Sequence, residues 1–228
     1  MHIPISPRLL ACARLVSQGE RVADVGCDHG YLGIYLLKNG IASSVIASDI
    51  RKGPLEAAIR NAKKFGVNQD ISFHLSDGVT QVPRDFDTFV CAGMGGDTMV
   101  SILEAAPWLK NKQYRLILQC QSKNHVLRKY LLENGWNIRA EHILRDGRFL
   151  YTVMEIGYEE VNASLSWGEY YFPGVLQNNP ADVLAEYYRR TVKKLEISVI
   201  GHKDQADPRE VEALHYLQNL TIHKEELL

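Results

Sequence analysis

The chain has 228 residues, of which 46% are hydrophobic, and its formal net charge is -1. That length allows one principal domain with a buried core and leaves residues for a smaller appendage. A charge near zero excludes a protein that coats nucleic acid over its whole surface, but the charge is unevenly divided. Residues 1–158 carry 19 Lys and Arg against 15 acids, and residues 159–228 carry 7 against 12. We therefore expect the N-terminal part to present the more basic surface.

The cysteines and histidines do not have the spacing of a metal site or of a disulfide framework. The residues concerned are Cys12, Cys27, Cys91, Cys120, His29, His74 and His125. We expect reduced thiols and no metal. There is no signal-peptide pattern and no apolar run near the ~20 residues that a membrane helix requires, so we expect a cytoplasmic protein that does not bind membranes.

The first predicted element is a short amphipathic helix that begins with Ser6 as N-cap and Pro7 at the first helical position. Strands and helices then alternate along the chain. We predict strands at 21–26, 43–50, 70–78, 86–96 and 114–121, and helices at 31–40, 54–66, 97–109 and 123–135. Short apolar strands separated by helices of this length predict a mostly parallel sheet with helices on both faces.

Two further predicted strands, 136–147 and 149–159, are separated by little more than the turn-like Asp146-Gly147. So short a connection cannot be a parallel crossover, and it predicts an antiparallel hairpin at the sheet edge. The hairpin brings the number of strands to seven.

Beyond Glu160 the pattern predicts helices alone. Residues 179–201 place Leu184, Tyr188, Thr191, Leu195 and Val199 on one stripe. Residues 207–228 begin with Asp207 and Glu210 in a capping-box arrangement. Joined by residues 202–206, the two segments predict an antiparallel helical hairpin. We divide the chain into a cofactor-binding domain, 1–160, and a helical hairpin domain, 161–228.

The stretch VADVGCDHGYLG, from Val22 to Gly33, predicts a strand that turns into a helix over a bound ligand. It departs from the G-x-G-x-x-G fingerprint because Asp28 replaces the glycine that approaches a pyrophosphate. A phosphate there would be repelled by about 4 kcal/mol per charge pair, at ~4 Å and an effective dielectric of ~20. S-adenosylmethionine (SAM) carries an ammonium, a sulfonium and no phosphate, so it would gain from the same carboxylate. The alternative is that Asp28 only caps the following helix.

Acidic residues also follow the next two predicted strands. Asp49 ends the second strand, where a carboxylate can accept hydrogen bonds from both ribose hydroxyls. Asp77-Gly78 follows the third strand, where the adenine ring of the same cofactor would lie. An acid or glycine at three successive strand ends favours one shared ligand over three separate caps.

The stretch CAGMGG, Cys91 to Gly96, follows the fourth strand, and its small residues would let a flat substrate approach the cofactor. The alternative is a glycine-rich turn capped by Asp97 or Thr98. The Asn-Pro-Pro-aromatic run of many exocyclic amine methyltransferases is absent here. Its absence favours a ring nitrogen, with an in-plane lone pair, as the nucleophile.

The stretches DVGCDHGYLG, ASDI, SDG and AGMGG, together with the helical tail, resemble the bacterial tRNA (adenine-22-N1)-methyltransferase family. The resemblance runs over nearly the whole chain from Arg8. It implies a class I (Rossmann-like) methyltransferase fold with a seven-stranded, mostly parallel sheet and a C-terminal antiparallel helical hairpin. It also implies SAM as cofactor and tRNA as partner. For the assembly we expect a monomer or a weak homodimer.

The resemblance assigns cofactor contacts, and we add the neighbours Cys27, Tyr31, Ile50 and Val79. The assigned residues are Gly26, Asp28, His29, Gly30, Asp49, Asp77, Gly78, Ala92, Gly93 and Met94. The predicted catalytic residues are Asp28, Arg8 and Gly95. The predicted substrate residues are Arg8, His29, Gly95, Gly96, Gln119, Arg189 and Lys193. For His29, contact with SAM, contact with the base and orientation of Asp28 all stay open.

One departure from the family concerns the fifth strand, after which many members have Gln-Pro-Asn. This chain has Gln119-Cys120-Gln121, so only Gln119 carries over. The tRNA would be attracted by basic side chains near the strand ends, Lys123 and Arg128 among them, and by a strip on the first tail helix, Arg189, Arg190, Lys193 and Lys194. A solvated helix face is the alternative for that strip.

Two other functions remain open from the sequence. A small-molecule methyltransferase would share the cofactor motifs and would need a lid, for which Trp167 and the aromatic segment 169–179 are candidates. A non-catalytic module that binds RNA or a nucleotide would need the cofactor loops to be vestigial. Transfer from labelled SAM to tRNA, or to small metabolites, distinguishes these hypotheses.

Overall fold

The computed structural model of the protein describes residues 2–202 and 205–220. The strands in this part of the chain are β1 (Glu20–Val25), β2 (Ala42–Asp49), β3 (Ile71–Leu75), β4 (Thr88–Gly95), β5 (Arg115–Ser122), β6 (Trp136–Asp146) and β7 (Phe149–Tyr158). The α-helices are α1 (Pro7–Leu15), α2 (Tyr31–Lys38), α3 (Lys52–Phe65), α4 (Gly96–Glu104), α5 (Asn124–Glu133), α6 (Trp167–Tyr171), α7 (Ala181–His202) and α8 (Pro208–Asn219). All the predicted strands are present, whereas α6 was not predicted.

The strands form one sheet in the order β3-β2-β1-β4-β5-β7-β6. Only β7 runs against its neighbours, since it pairs antiparallel with both β5 and β6. The pairing of Asp146 with Phe149 leaves a two-residue connection, so the predicted edge hairpin is confirmed. At the centre, β1 pairs with β2 on one side and with β4 on the other. Open α/β sheets bind ligands at the carboxyl ends of strands beside such a reversal.

Helices bury both faces of the sheet. On β5, Leu116 and Leu118 belong to the hydrophobic cluster that includes Met99 of α4 and Leu127 of α5. Ile117, between them, belongs to the opposite cluster, with side chains of α1, α2 and α3. Because successive strand residues point to opposite faces, an unbroken apolar strand indicates a sheet that is covered on both sides. The predicted three-layer α/β architecture is therefore confirmed.

The C-terminal helices α7 and α8 pack against each other in antiparallel directions. Leu184 and Leu195, from the predicted stripe, are buried together with Leu217 of α8. Asp207 caps α8 by accepting a hydrogen bond from the Arg209 amide at 2.9 Å. The predicted capping box is replaced by a contact between the helices, since Glu210 Oε2 accepts from the Ser198 hydroxyl of α7 at 2.5 Å.

The predicted tail extends outside the described residues at two places. The predicted link between the helices, 202–206, includes residues 203–204, which lie outside the described residues. The predicted end of the last helix, 221–228, lies outside them as well. Within residues 2–202 and 205–220, no helix is long and apolar enough to span a bilayer.

The buried guanidinium of Arg128 joins the sheet to the tail. Arg128 of α5 and Glu141 of β6 have side chains 1% and 0% exposed, and their two bonds measure 2.6 and 3.0 Å. The other N–H groups of Arg128 donate to the carbonyls of Tyr170 and Tyr171 and to the hydroxyl of Tyr187. All five guanidinium donors therefore have acceptors. The expectation that Arg128 belongs to an RNA-facing surface is wrong, because the side chain is buried in this contact.

We expect Arg128→Ala to reduce the free energy of unfolding by about 3–5 kcal/mol, because Glu141 would be left as a buried, unpaired charge. The matched control is Arg139→Ala, which removes an exposed pair with Glu159 and should cost less than about 1 kcal/mol. Urea unfolding of both variants measures the difference. Equal, small losses would show that the buried pair does not hold the tail in place.

Candidate active site

A cleft of about 460 Å³ opens at the carboxyl ends of the central strands. This volume lies within the range of small-molecule sites, about 300–1,000 Å³. Eleven of the predicted site residues line it: Arg8, Gly26, Cys27, Asp28, Asp49, Ile50, Asp77, Gly78, Ala92, Gly93 and Met94. The loops after four different strands therefore meet at one site, as the sequence predicted.

Nine predicted site residues do not line this cleft: His29, Gly30, Tyr31, Val79, Gly95, Gly96, Gln119, Arg189 and Lys193. Several residues that the sequence reasoning did not select do line it, among them Asp24, Ser76, Thr98 and Gln121. Local packing explains most of these differences.

The loop after β1 is held by backbone hydrogen bonds to β2. The amides of Gly26 and Cys27 both donate to the carbonyl of Ser48. Asp28 adopts a left-handed conformation, with φ +49°, and its amide donates to Asp49 Oδ2 at 3.1 Å. The Asp28 side chain is 59% exposed and does not cap α2, whose N-cap is Gly30. The capping alternative for Asp28 is therefore wrong, and its carboxylate stays accessible to a ligand.

The glycines of the first loop have different physical roles. At Gly26, with φ +75°, an added Cβ would lie 2.1 Å from Met94 Cε. At Gly30 it would lie 2.9 Å from Ala58 Cβ, and at Gly33 2.9 Å from Val45 Cγ1. Gly30 and Gly33 thus let α2 pack closely against α3 and the sheet, and only Gly26 faces the cleft.

Asp49 is buried at the end of β2 and holds two loops together. Its Oδ2 accepts from the Asp28 amide, and its Oδ1 accepts from the Arg51 amide at 2.9 Å. A carboxylate has about four acceptor positions, so Asp49 can still accept two more hydrogen bonds from a ligand. Asp77, which is exposed, lines the same cleft beyond β3.

Asp24 is a buried acid that the sequence reasoning missed. It is 4% exposed, it lines the cleft, and its Oδ2 has no hydrogen-bond partner. Burial raises the pKa of Asp24 to about 7, with a further contribution from the charge of Asp49 and an opposing one from the Gly33 amide. An acid inside an otherwise apolar strand that is buried on both faces is the sequence signal that could have identified it.

The glycines after β4 serve both the cleft and the packing. Gly93, with φ +80°, lines the cleft, and its amide donates to Gln119 Oε1 at 3.0 Å. A Cβ at Gly95 would lie 3.1 Å from Ser122 Oγ, and one at Gly96 would lie 2.4 Å from the Lys123 carbonyl. The close approach of the β5 loop thus accounts for Gly95 and Gly96 without any contact to a substrate.

Gln121 lines the cofactor cleft in place of Gln119, the residue that the sequence predicted there. Gln119 is fully buried and acts on the cleft only through the Gly93 amide. Gln121 lines the cleft, with its Nε2 3.4 Å from the position of a Cβ on Gly93. Alternation along β5 puts both residues on one face. They differ because the pairing of β5 with β7 ends at Cys120, which leaves Gln121 exposed.

His29 and Tyr31 lie at the start of α2, beside the cleft. Their rings stack with centroids 5.9 Å apart, and His29 Nε2 is 3.8 Å from Asp28 Oδ2. At 3.8 Å this contact is too long for a hydrogen bond, and both side chains are more than half exposed. Val79 is buried in the hydrophobic core below the loop after β3.

The predicted tail residues do not line the cofactor cleft. Arg189 and Lys193 are exposed on α7, and the neighbouring Arg190 and Lys194 line a second cleft instead. The segment considered as a lid is packed against the tail, with Tyr170, Phe172 and Leu176 at most 3% exposed. None of these aromatic side chains covers the cofactor cleft.

The thiols near the cleft are not nucleophiles. All four cysteines lie within the described residues, and none of them forms a disulfide. Burial raises the pKa of both Cys27 and Cys91, which keeps them protonated at neutral pH. Among residues 2–202 and 205–220, no cluster of three or more His, Cys, Asp or Glu could hold a metal ion.

The stability of the ligand-free protein should fall as the pH rises from 6 to 8. Folded Asp24, with a pKa of about 7, holds a proton that the unfolded chain has already released near its ordinary value of 3.8. The folded carboxyl ionises between pH 6 and 8, and the stability lost over this window is about 1.4 kcal/mol, equivalent to one pKa unit. Asp24→Asn should flatten this dependence in urea unfolding, whereas Asp70→Asn, an exposed control, should keep it. Parallel pH profiles for all three proteins would rule out the effect.

Comparisons with known proteins agree with the geometry. Residues 5–154 match the family model described as a methyltransferase domain. The tRNA (adenine(22)-N(1))-methyltransferase of Bacillus subtilis is 34% identical over 154 residues, which are 67% of this chain and 65% of that protein. The crystal structure of the B. subtilis m1A22 tRNA methyltransferase has a TM-score of 0.79 at 28% identity, covering 99% of this chain and 98% of that one.

A third similar protein comes from Streptococcus pneumoniae and is described as "a putative tRNA (m1A22) methyltransferase, in complex with S-adenosyl-L-methionine". Its TM-score is 0.81 at 29% identity, and the match covers 98% of this chain and 100% of that one. The sequence match thus spans about two thirds of the B. subtilis relative, and the structural matches extend over the tail. The chain belongs to the methyltransferase domain family and, within it, to the family of the bacterial tRNA (adenine-22-N1)-methyltransferases.

Proposed function

We propose that the protein is a SAM-dependent tRNA methyltransferase that methylates N1 of the adenine at position 22. The observation that carries this proposal is the acidic cleft at the centre of the sheet, where Asp24, Asp28, Asp49 and Asp77 meet around glycine-rich loops. The family to which the chain belongs indicates the acceptor.

The donor set of the cleft fits SAM. Asp24 Oδ2 is buried without a partner, and an ammonium group of a ligand would supply the missing donor. Asp49 has acceptor positions left for ribose hydroxyls, and the acids would repel a pyrophosphate. SAM, when bound, supplies a methyl group on a positively charged sulfur.

The residues of the chain mainly hold the acceptor in line. N1 lies on the Watson–Crick edge of adenine, so the base must leave its stack before it can enter the cleft. Its lone pair lies in the ring plane and needs no general base, which agrees with the protonated thiols near the site. Asp28 at the cleft would stabilise the positive charge that the base gains. Arg8 also lines the cleft, with its guanidinium 5.8 Å from the Tyr151 ring centroid.

We assign the two predicted parts of the chain different tasks. Residues 1–160 would bind SAM and carry out the transfer, and residues 161–228 would help to bind tRNA. The tail carries Arg189 and Lys193 on an exposed face, which favours contact with phosphates. We further propose that the protein works in the cytoplasm, as a monomer or a weak homodimer.

Labelled SAM should transfer its methyl group to unmodified tRNA, and nucleoside analysis should recover 1-methyladenosine. A tRNA with guanosine in place of the target adenosine is the matched control and should remain unlabelled. Label in a small-metabolite fraction, or in a protein fraction, would refute the proposed acceptor.

Asp28→Asn should lower kcat for tRNA methylation about tenfold or more, since a neutral amide stabilises a cationic base less than a carboxylate does. The Kd for SAM, from calorimetry, should change less than kcat. Asp70→Asn again serves as the exposed control. Unchanged kcat and unchanged SAM affinity in Asp28→Asn would exclude the proposed role of the carboxylate.

A further inference from the structure

A second cleft, which we call the junction cleft, lies between the end of β5 and helix α7. Its volume is about 210 Å³, which is below the range of about 300–1,000 Å³ for complete small-molecule sites. It therefore suits one flat fragment of a larger ligand. Gln121 lines both this cleft and the cofactor cleft, so the two lie side by side.

Aromatic side chains form part of the junction cleft. Phe149, at the tip of the β6–β7 hairpin, is 49% exposed. Tyr171 stacks on His125 with ring centroids 4.0 Å apart and an interplanar angle of 12°. Burial, together with nearby cations such as Arg128, lowers the pKa of His125 to about 4, so its ring is neutral at pH 7. Exposed aromatic faces are the surfaces on which unpaired bases stack.

The charges around the junction cleft are mostly positive. Arg190 and Lys194, one turn apart on α7, line it together with Lys123. Arg190 donates to the Arg148 carbonyl at 2.7 Å, which ties the helix to the hairpin tip. Two acids balance two of these cations, since Asp97 pairs with Lys123 and Glu186 pairs with Arg190. Lys194 is exposed, and it adds a positive charge at the cleft.

A line of side chains on β7 connects the two clefts. Phe149 and Tyr151 are two residues apart, so they lie on the same face of the strand, and their ring centroids are 6.1 Å apart. Arg148 lies over the Phe149 ring at 5.0 Å, and Arg8 of the cofactor cleft lies 5.8 Å from the Tyr151 centroid. The line therefore has two aromatic rings between two guanidinium groups, and both kinds of group stack on nucleobases.

We propose that the junction cleft is a nucleotide-binding subsite for the RNA strand beside the target adenosine. A neighbouring base stacks on Phe149, and its phosphate lies near Arg190 and Lys194. Removing the target base from its stack exposes the faces of its neighbours, and Phe149 restacks one of them at the entrance to the active site. This inference rests on the proposed function and adds the path of the substrate beyond the reacting base.

The test measures the affinity of the full-length protein for unmodified tRNA by fluorescence anisotropy. Phe149→Ala should raise the Kd about tenfold, as expected for the loss of one stacked base. Phe149→Trp, which keeps an aromatic face, should stay within about twofold of the unaltered protein. Lys194→Ala should weaken binding and reduce the slope of log Kd against log salt by about one. Thermal melting and SAM affinity should be unchanged in all three variants, which excludes misfolding.

Two matched controls lie away from the junction cleft. Ile200→Ala removes an exposed apolar side chain of α7, and Lys112→Ala removes an exposed charge before β5. Both should bind tRNA as the unaltered protein does. If Phe149→Ala and Lys194→Ala behave like these controls, the subsite is refuted.

A spectroscopic measurement separates stacking from a general loss of affinity. 2-Aminopurine replaces, in turn, the nucleotide on either side of the target adenosine in tRNA. At one of the two positions, fluorescence should be quenched by the unaltered protein and by Phe149→Trp, but not by Phe149→Ala at saturating concentration. Quenching that does not depend on Phe149 would overturn the inference. Absence of methyl transfer by the unaltered protein would instead refute the proposed function, because binding and quenching do not require transfer.

Discussion

The attachment of the helices α6 and α7 to the sheet depends on the buried guanidinium of Arg128. Its five donors reach Glu141 on the sheet, two carbonyls of α6 and the hydroxyl of Tyr187 on α7. A charge in such a place is tolerated only if every donor is satisfied, because leaving one unpaired costs more than the pair contributes. The contact therefore fixes one orientation of the tail. That orientation places α7 beside the end of β5 and so creates the junction cleft.

A second constraint acts in the cofactor cleft, where acids outnumber bases. Asp49 uses both oxygens to hold the loops after β1 and β2, while Asp24 has an oxygen without a partner. The hydrogen bonds of Asp49 make the cleft rigid before a ligand binds. The unpaired oxygen of Asp24 can be satisfied only by a hydrogen-bond donor of the ligand. Rigidity and an unmet acceptor together favour a cationic ligand over an anionic one.

The sequence predicted the fold well because its signals are local. Glycines and prolines mark element ends, and the short link at Asp146-Gly147 allows only an antiparallel hairpin. The sequence also predicted the loops that line the cofactor cleft, because the carboxyl ends of parallel strands lie together at one edge of the sheet. It failed where the outcome depends on contacts between distant segments. Nothing in the spacing shows that Gly96 faces the Lys123 carbonyl or that Arg128 is buried.

The alternation along β5 shows the same limit at a finer scale. Gln119 and Gln121 share a face by their spacing, yet one is buried behind Gly93 and the other reaches both clefts. Only the point at which the strand leaves the sheet decides this difference. Asp24 could have been found from the sequence. Burial of an unpaired acid costs free energy, so an acid in a strand that is buried on both faces indicates a functional role.

The unpaired oxygen of Asp24 affects the lifetime of the protein in a cell, because it makes stability depend on a bound ligand. A ligand that binds only the folded state adds to stability in proportion to the logarithm of its concentration. The ligand-free protein lacks this contribution and leaves the buried Asp24 oxygen without a partner, so it unfolds more often than the occupied form does. Degradation acts on the unfolded fraction, and the abundance of the protein would then follow the supply of its cofactor.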